Sequence, residues 1–286
     1  MPINKLTFSQ KIKAYKNNPA SLIMFLLVYI GAAISLISLL FLIGYILVKG
    51  IPYLTPDLFA FTYTSDNASL TPALINTIVM TLLTLVIAAP IGIFAAIFLV
   101  EYSGKGSKLV KLIRITAETL SGIPSIVYGL FGLLFFVTTL QWGYSMLAGS
   151  FTMVIMVLPL IMRTAEEALR SVPDSFREAS FGLGAGKLRT VFRIVLPPAV
   201  PGILSGVILA IGRVVGETAA LMYTAGTVAQ IPNLMGSGRT LAVHMYALSS
   251  EGLHMNQAYA TAVVLLVLVL LINGLSNLIA KRIVKG

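Results

Sequence analysis

The sequence predicts an all-α polytopic membrane protein with six transmembrane helices, and three observations carry that prediction. Of its 286 residues, 57% are hydrophobic and only 10% are charged, against about 25% charged in an ordinary soluble domain. The apolar residues form long uncharged runs, each long enough for a helix to cross a ~30 Å hydrocarbon core. The basic residues behind the formal net charge of +10 gather between alternate runs. A soluble enzyme, a disulfide scaffold and a disordered tail are thereby excluded. Cysteine is absent, and the only histidines are His244 and His254, so neither a thiolate site nor a metal centre is expected. No cofactor is expected.

The elements follow in order. Residues 1–20 read as a polar N-terminal tail. Residues 17–48 carry no charge and predict a first span over 21–48. Its apolar run exceeds the usual 7–15 residues of a signal peptide, and no small-residue cleavage site follows before Lys49-Gly50-Ile51-Pro52, so it is expected to be retained. Residues 67–100 predict a second span beginning near Ala73. The uncharged run 119–162 is too long for one helix, and Gln141-Trp142-Gly143-Tyr144 divides it into spans near 120–140 and 146–162. A fifth span is expected over 201–222 and a sixth over 258–280.

Seventeen of the 20 Lys and Arg residues fall on one side of this topology: in the N-terminal tail, in loops 101–118 and 163–200, and at the C-terminus. The other side holds only Lys49 and Arg239, while Arg213 lies within a span. Because basic residues gather on the cytoplasmic face, both termini and both basic loops are expected there. The charge is then topological, and nucleic-acid binding is a poor explanation of it. Six spans alone would equally suit a channel or a secondary carrier.

Loop 163–200 is longer than the usual 2–8-residue helix connection. Arg163–Arg170 is good helix-forming sequence, Pro173 interrupts it, and Asp174 is expected to N-cap a second short helix. Gly182, Gly184 and Gly186 stop that helix, and Pro197, Pro198 and Pro201 mark the entry to span five. On these features alone, a solvated connector and an exposed docking helix remain equally open.

Within the loop, Glu178-Ala179-Ser180, three residues, Gly184, nine residues, Ile194, one residue and Leu196-Pro197 resemble the coupling loop of ABC-importer permeases. That pattern reads Glu-Ala-Ala, three residues, Gly, nine residues, Ile, one residue, Leu-Pro; Ser180 is the one departure. Further stretches resemble the PstA-type branch of phosphate importers: Ser121–Gly129, Leu158-Pro159 through Arg163, Glu166–Leu169, Val172-Pro173 and Gly212-Arg213-Val214-Val215-Gly216-Glu217-Thr218-Ala219. The likeness covers about residues 70–285, taken as a permease core, with span 21–48 as an extra first helix.

The resemblance implies an ABC-importer (MetI-like) permease fold in a bacterial or archaeal plasma membrane. It implies that Glu178, Ala179, Ser180, Gly184, Ile194, Leu196 and Pro197 form the contact with an ATPase. It also implies a homologous second permease (PstC type), two ATPase subunits (PstB type), an extracytoplasmic phosphate-binding protein (PstS type) and phosphate as the transported substrate. The chain itself is expected to be non-catalytic. Gly182–Leu188 is glycine-rich, but it lacks the leading Gly and the trailing Ser or Thr of a P-loop, so ATP must be hydrolysed by a partner.

Arg213 and Glu217 are the ionisable residues placed inside a span, where a charge costs about 2.5–3.5 kcal/mol even on lenient scales. Their i,i+4 spacing predicts one helix face. A self-neutralising pair is one possibility. A substrate-pathway site is the other, because guanidinium presents a planar fork that fits an oxyanion. Glu217 is then a keeper of Arg213, or an acceptor for the proton of protonated phosphate. An ABC permease for molybdate or sulfate remains an alternative, and an ATP-independent carrier or channel is the more distant one. Pro90, Pro124 and Pro159 are expected within spans. Gly202/Gly206 and Gly212/Gly216 have close-packing spacing. Arg239, His244, Glu251 and His254 fall in an external loop and are expected to be solvated.

Overall fold

A computed structural model describes residues 19–103 and 107–285. Most of the expected N-terminal tail, and Lys105, lie outside the described residues. Every regular element among those described is helical. The chain divides at Lys49/Gly50 into two units. In the first, α1 (Pro19–Gly50) is apolar all round and its large side chains are exposed, as suits a helix solvated by lipid.

The second unit is the bundle. Helix α2 (Thr71–Ile97) continues through a π turn, Phe98–Tyr102. Helix α3 (Lys108–Ser121) is followed by α4 (Ser125–Gly132), which widens into π geometry over Leu133–Thr139. Then come α5 (Met146–Arg170), α6 (Asp174–Gly182) and the short α7 (Lys187–Thr190). A π segment, Val191–Val195, leads into α8 (Leu196–Val215), and α9 (Ala219–Met222), α10 (Leu241–Glu251) and α11 (Met255–Lys285) complete the chain. Pro197, Pro198 and Pro201 lack the N–H that would bond to residues 193, 194 and 197, and the helix widens to π geometry just before them.

Among the described residues five helices are long and apolar enough to cross a membrane, and a sixth crossing exists if α3 and α4 count as one broken span. The expected span near 120–140 is therefore corrected at its start: α3, most of which was expected as loop, and the helix over Ser125–Thr139 meet at 101° across Gly122–Pro124, so Pro124 sits at the break, outside both helices. Proline forbids the helical bond there and pushes its predecessor towards extended geometry. Span four runs on to Arg170. The helix of span five begins at Lys187 and ends at Val215, seven residues before the expected end. Asp174 is the first residue of α6, and the N-cap position belongs to Pro173.

The core lies where α2, α5 and α8 cross, around Met80, Met153, Met156, Ile161 and Val214. A Cβ on Gly202 would stand 2.6 Å from the Ala168 Cβ, and one on Gly206 would collide with the Thr164 side chain. These two glycines let α8 close on α5. The second glycine pair behaves differently: a Cβ on Gly212 meets nothing, and one on Gly216 meets only the Gly212 carbonyl.

Candidate functional site

The segment after α5 turns sharply and presents α6 and α7 at one end of the bundle. Arg177 fixes it. Its Nη2 donates to Glu101 Oε1 at 2.7 Å and to the Leu169 carbonyl at 2.9 Å, and its Nη1 donates to the Val172 carbonyl at 2.7 Å. The Glu101 and Arg177 side chains are only 6% and 14% exposed, so this charge-assisted pair is shielded from water. The short helix is thereby tied to the end of α2.

Glu178 and Ala179 point outward on α6. Ser180 is buried, and its hydroxyl shares a 2.8 Å hydrogen bond with Thr190 Oγ1, joining α6 to α7. The departure from alanine at 180 thus has a structural partner. Gly184 turns the chain at φ +80°, a left-handed conformation that favours glycine. Ile194 and Pro197 are exposed and Leu196 is half-buried. Leu183, 90% exposed, stands with Phe176 and Leu188 at the rim of an open groove of about 980 Å³. Phe176 and Leu183 are thus large apolar side chains left exposed on α6 and in the turn that follows it.

A second polar knot lies above the loop. Glu166 Oε1 accepts from Arg114 Nε at 2.7 Å and pairs with Arg170 Nη2 at 2.9 Å, linking α3 to α5. The i,i+4 spacing of Glu166 and Arg170 is readable in the sequence. Arg114, 52 residues away, gives no such signal, and neither does Glu101 for Arg177.

Arg213 and Glu217 do not form the helical pair expected. Helix α8 ends at Val215, and Gly216 carries the chain out of it. The buried Glu217 carboxylate, 9% exposed, instead accepts from the Ala220 N–H at 3.0 Å, at the start of α9. Arg213 is half-buried in the last turn of α8, where the helix dipole favours a cation. The half-buried Arg213 guanidinium is thus without a hydrogen-bond or ion-pair partner among the described residues, and the Glu217 carboxylate is committed to backbone.

Arg239 and His244 also depart from expectation. They are 5% and 0% exposed, far from the solvated loop positions assigned to them. The segment carrying them folds back onto the bundle: Asn76 Nδ2 donates to the Gln230 and Arg239 carbonyls, and Leu241 N donates to Thr77 Oγ1. These contacts are long-range and invisible to local pattern.

A helical bundle in which at least five helices are long and apolar enough to cross a membrane is a polytopic membrane protein. The family model of binding-protein-dependent transport system inner membrane components matches residues 88–285, and the chain belongs to that family. It is 36% identical over 241 residues to the probable ABC transporter permease protein YqgI of Bacillus subtilis, covering 78% of this chain and 81% of that one. It is 33% identical over 271 residues to the phosphate transport system permease protein PstA of Pasteurella multocida, covering 90% and 92%. In fold it is similar to a chain of a bacterial alginate ABC transporter, with TM-score 0.69 and 18% identity over 95% of this chain and 98% of that one. It is likewise similar in fold to a chain of the MetNI methionine ABC transporter, with TM-score 0.58 and 22% identity over 74% and 93%. The fold is that of MetI-like permeases.

Proposed function

We propose that this chain is the permease subunit of an ATP-driven importer of inorganic phosphate. It spans the plasma membrane of a bacterium or archaeon several times, with both termini cytoplasmic. The similarity to phosphate permeases supports the substrate, and the observation that carries the mechanism is the half-buried Arg213 fork, unpartnered among the described residues. A guanidinium that stays charged at every cellular pH can take two oxygens of a tetrahedral oxyanion. Glu217, held on the Ala220 N–H, leaves that fork open to the anion. Released from that N–H, the same carboxylate accepts a hydrogen bond from protonated phosphate, which sulfate at neutral pH does not offer.

The partners follow from the same proposal: a PstC-type second permease, two PstB-type ATPases and a PstS-type binding protein delivering phosphate from outside. Glu178, Ala179 and Gly184, with Leu183 projecting beyond them, dock into an ATPase. Ser180, Ile194, Leu196 and Pro197 shape and anchor that loop. ATP-driven closure of the ATPase pair pushes α6, and the bundle switches between outward and inward access.

Two substitutions test the proposal. Glu178→Lys with Gly184→Asp prevents the ATPase from co-purifying with the permease. Arg213→Gln abolishes phosphate uptake while assembly and basal ATP hydrolysis persist. An ATPase that stays bound to the first variant, or uptake that survives in the second, contradicts it.

A further inference from the structure

The most anomalous polar group in the bundle is Arg239. Its backbone is clamped: its N–H donates to the Val228 carbonyl at 2.9 Å, and its own carbonyl accepts from Asn76 Nδ2 at 3.1 Å. The side chain is thereby committed to the interior, with its guanidinium carbon 4.6 Å from the centre of the Tyr63 ring. No carboxylate among the described residues lies within 4.0 Å of it. Arginine cannot shed its charge, and a buried unpaired cation is strongly disfavoured.

Its Nε and Nη2 groups are buried without a hydrogen-bond partner. Together they form the side-on edge of the fork, the pair of parallel donors that takes two oxygens of one oxyanion. A neighbouring hydroxyl shares the condition. Thr240 is the N-cap residue of the 11-residue helix α10, yet its hydroxyl caps nothing and is buried without a partner. His244, in the first turn, has both ring nitrogens buried, with only a weak approach to the Ala68 backbone, and stands edge-on to Tyr63 with ring centres 6.1 Å apart. Three unpartnered polar atoms of Arg239 and Thr240 therefore sit with the buried His244 ring around one helix N-terminus, the end of a helix that favours anions. Water can satisfy the neutral donors among them but cannot neutralise the guanidinium.

We propose that Arg239, Thr240 and the N-terminus of α10, with His244 in its first turn, form a second site for a tetrahedral oxyanion, which inorganic phosphate occupies before it reaches Arg213. Phosphate as the occupant rests on the importer function proposed above. The location suits an entry station, because the segment is pinned to the first turns of α2 and α5, the end of the bundle remote from α6: Leu241 N bonds Thr77 Oγ1, and Met146 N bonds the Gly236 carbonyl at 3.0 Å. Burial and the Arg239 charge hold His244 neutral, down to about 3. A neutral imidazole offers one N–H donor and one lone pair, and that lone pair accepts a hydrogen bond from the O–H of monobasic or dibasic phosphate.

Equilibrium binding of radiolabelled phosphate to the purified permease–ATPase complex, without binding protein, tests the site. Arg213→Gln retains a phosphate site. Adding Arg239→Gln weakens that site about tenfold or more, the scale of a lost charged hydrogen-bond pair. Arg239→Lys, which keeps the charge and loses the fork, falls between, and Thr240→Val also weakens binding. Co-purification of the ATPase and an unchanged unfolding temperature identify variants that remain folded. A folded Arg239→Gln that binds like its parent overturns the site. So does a wild-type complex that imports phosphate normally yet shows no oxyanion binding, a result that leaves the importer function standing. Arg239-dependent binding of sulfate or molybdate in place of phosphate upholds the site and removes phosphate as the cargo.

Discussion

Arg177 on the short helix α6 reaches 2.7 Å to Glu101 Oε1 at the end of α2, across 76 residues of sequence. The same side chain holds the Leu169 and Val172 carbonyls at the end of α5. The tip carrying Glu178 and Ala179 is therefore joined to both central helices through one guanidinium, the connection that the proposed coupling requires.

Glu101→Gln should leave the buried Arg177 charge with only the exposed Asp174 carboxylate, 3.2 Å from its Nη1. Breaking such a pair from one side destabilises by about 3–5 kcal/mol, here concentrated at the tip. The expected result is an ATPase that still binds but no longer drives uptake. The exchange Glu101→Arg with Arg177→Glu should restore part of the transport. Full coupling in Glu101→Gln, measured as phosphate moved per ATP hydrolysed, would show that the pair plays no part in transmission.

Gly206 and Gly212 have the same residue type in the same helix, with opposite expected outcomes. Gly206→Leu forces α8 away from Thr164 on α5 and should abolish assembly of the folded bundle, whereas Gly212→Ala has open space and should be tolerated. Thermal unfolding of the two purified variants distinguishes them.

Gly184→Ala should loosen the loop without unfolding the bundle. A left-handed conformation costs a non-glycine residue about 1–2 kcal/mol, and Gly184 holds φ +80°. Hydrogen exchange at Ala185, whose N–H donates to the Ser180 carbonyl at 3.1 Å, should quicken in the variant.

His244 predicts an acid sensitivity. Burial first, and the Arg239 charge second, lower its pKa to about 3, with a backbone interaction at Ala68 opposing them. An unfolded histidine takes up its proton near 6.5. The unfolded chain therefore binds a proton that the folded one refuses, and stability falls as pH drops from about 6.5 towards 3, by about 1.4 kcal/mol per pH unit in that window. His244→Gln should flatten the pH dependence of the unfolding temperature between pH 7 and pH 5. Parallel curves for variant and parent would contradict this origin.

The helical class, most of the spans and the short helix after Pro173 were legible because each is written locally, in runs of apolar residues or in spacing within a single segment. The break at Pro124 was harder to read, since it falls inside the uncharged run 119–162, close to the expected start of a span. The Arg213–Glu217 spacing misled because Gly216 ends α8 between them, and i,i+4 neighbours share a face only while the helix continues. Glu101, Arg114 and Arg239 acquire their surroundings from elements more than 50 residues away, or from a loop folding back, and neither leaves a periodic trace.

ATP-driven phosphate import is tested most directly in proteoliposomes containing this chain with a second permease and an ATPase. The binding protein is supplied outside and ATP inside, with excess sulfate or molybdate as competitor. Uptake of radiolabelled phosphate that requires ATP and resists both competitors is the predicted result. Phosphate transport that proceeds at full rate without ATP would contradict it.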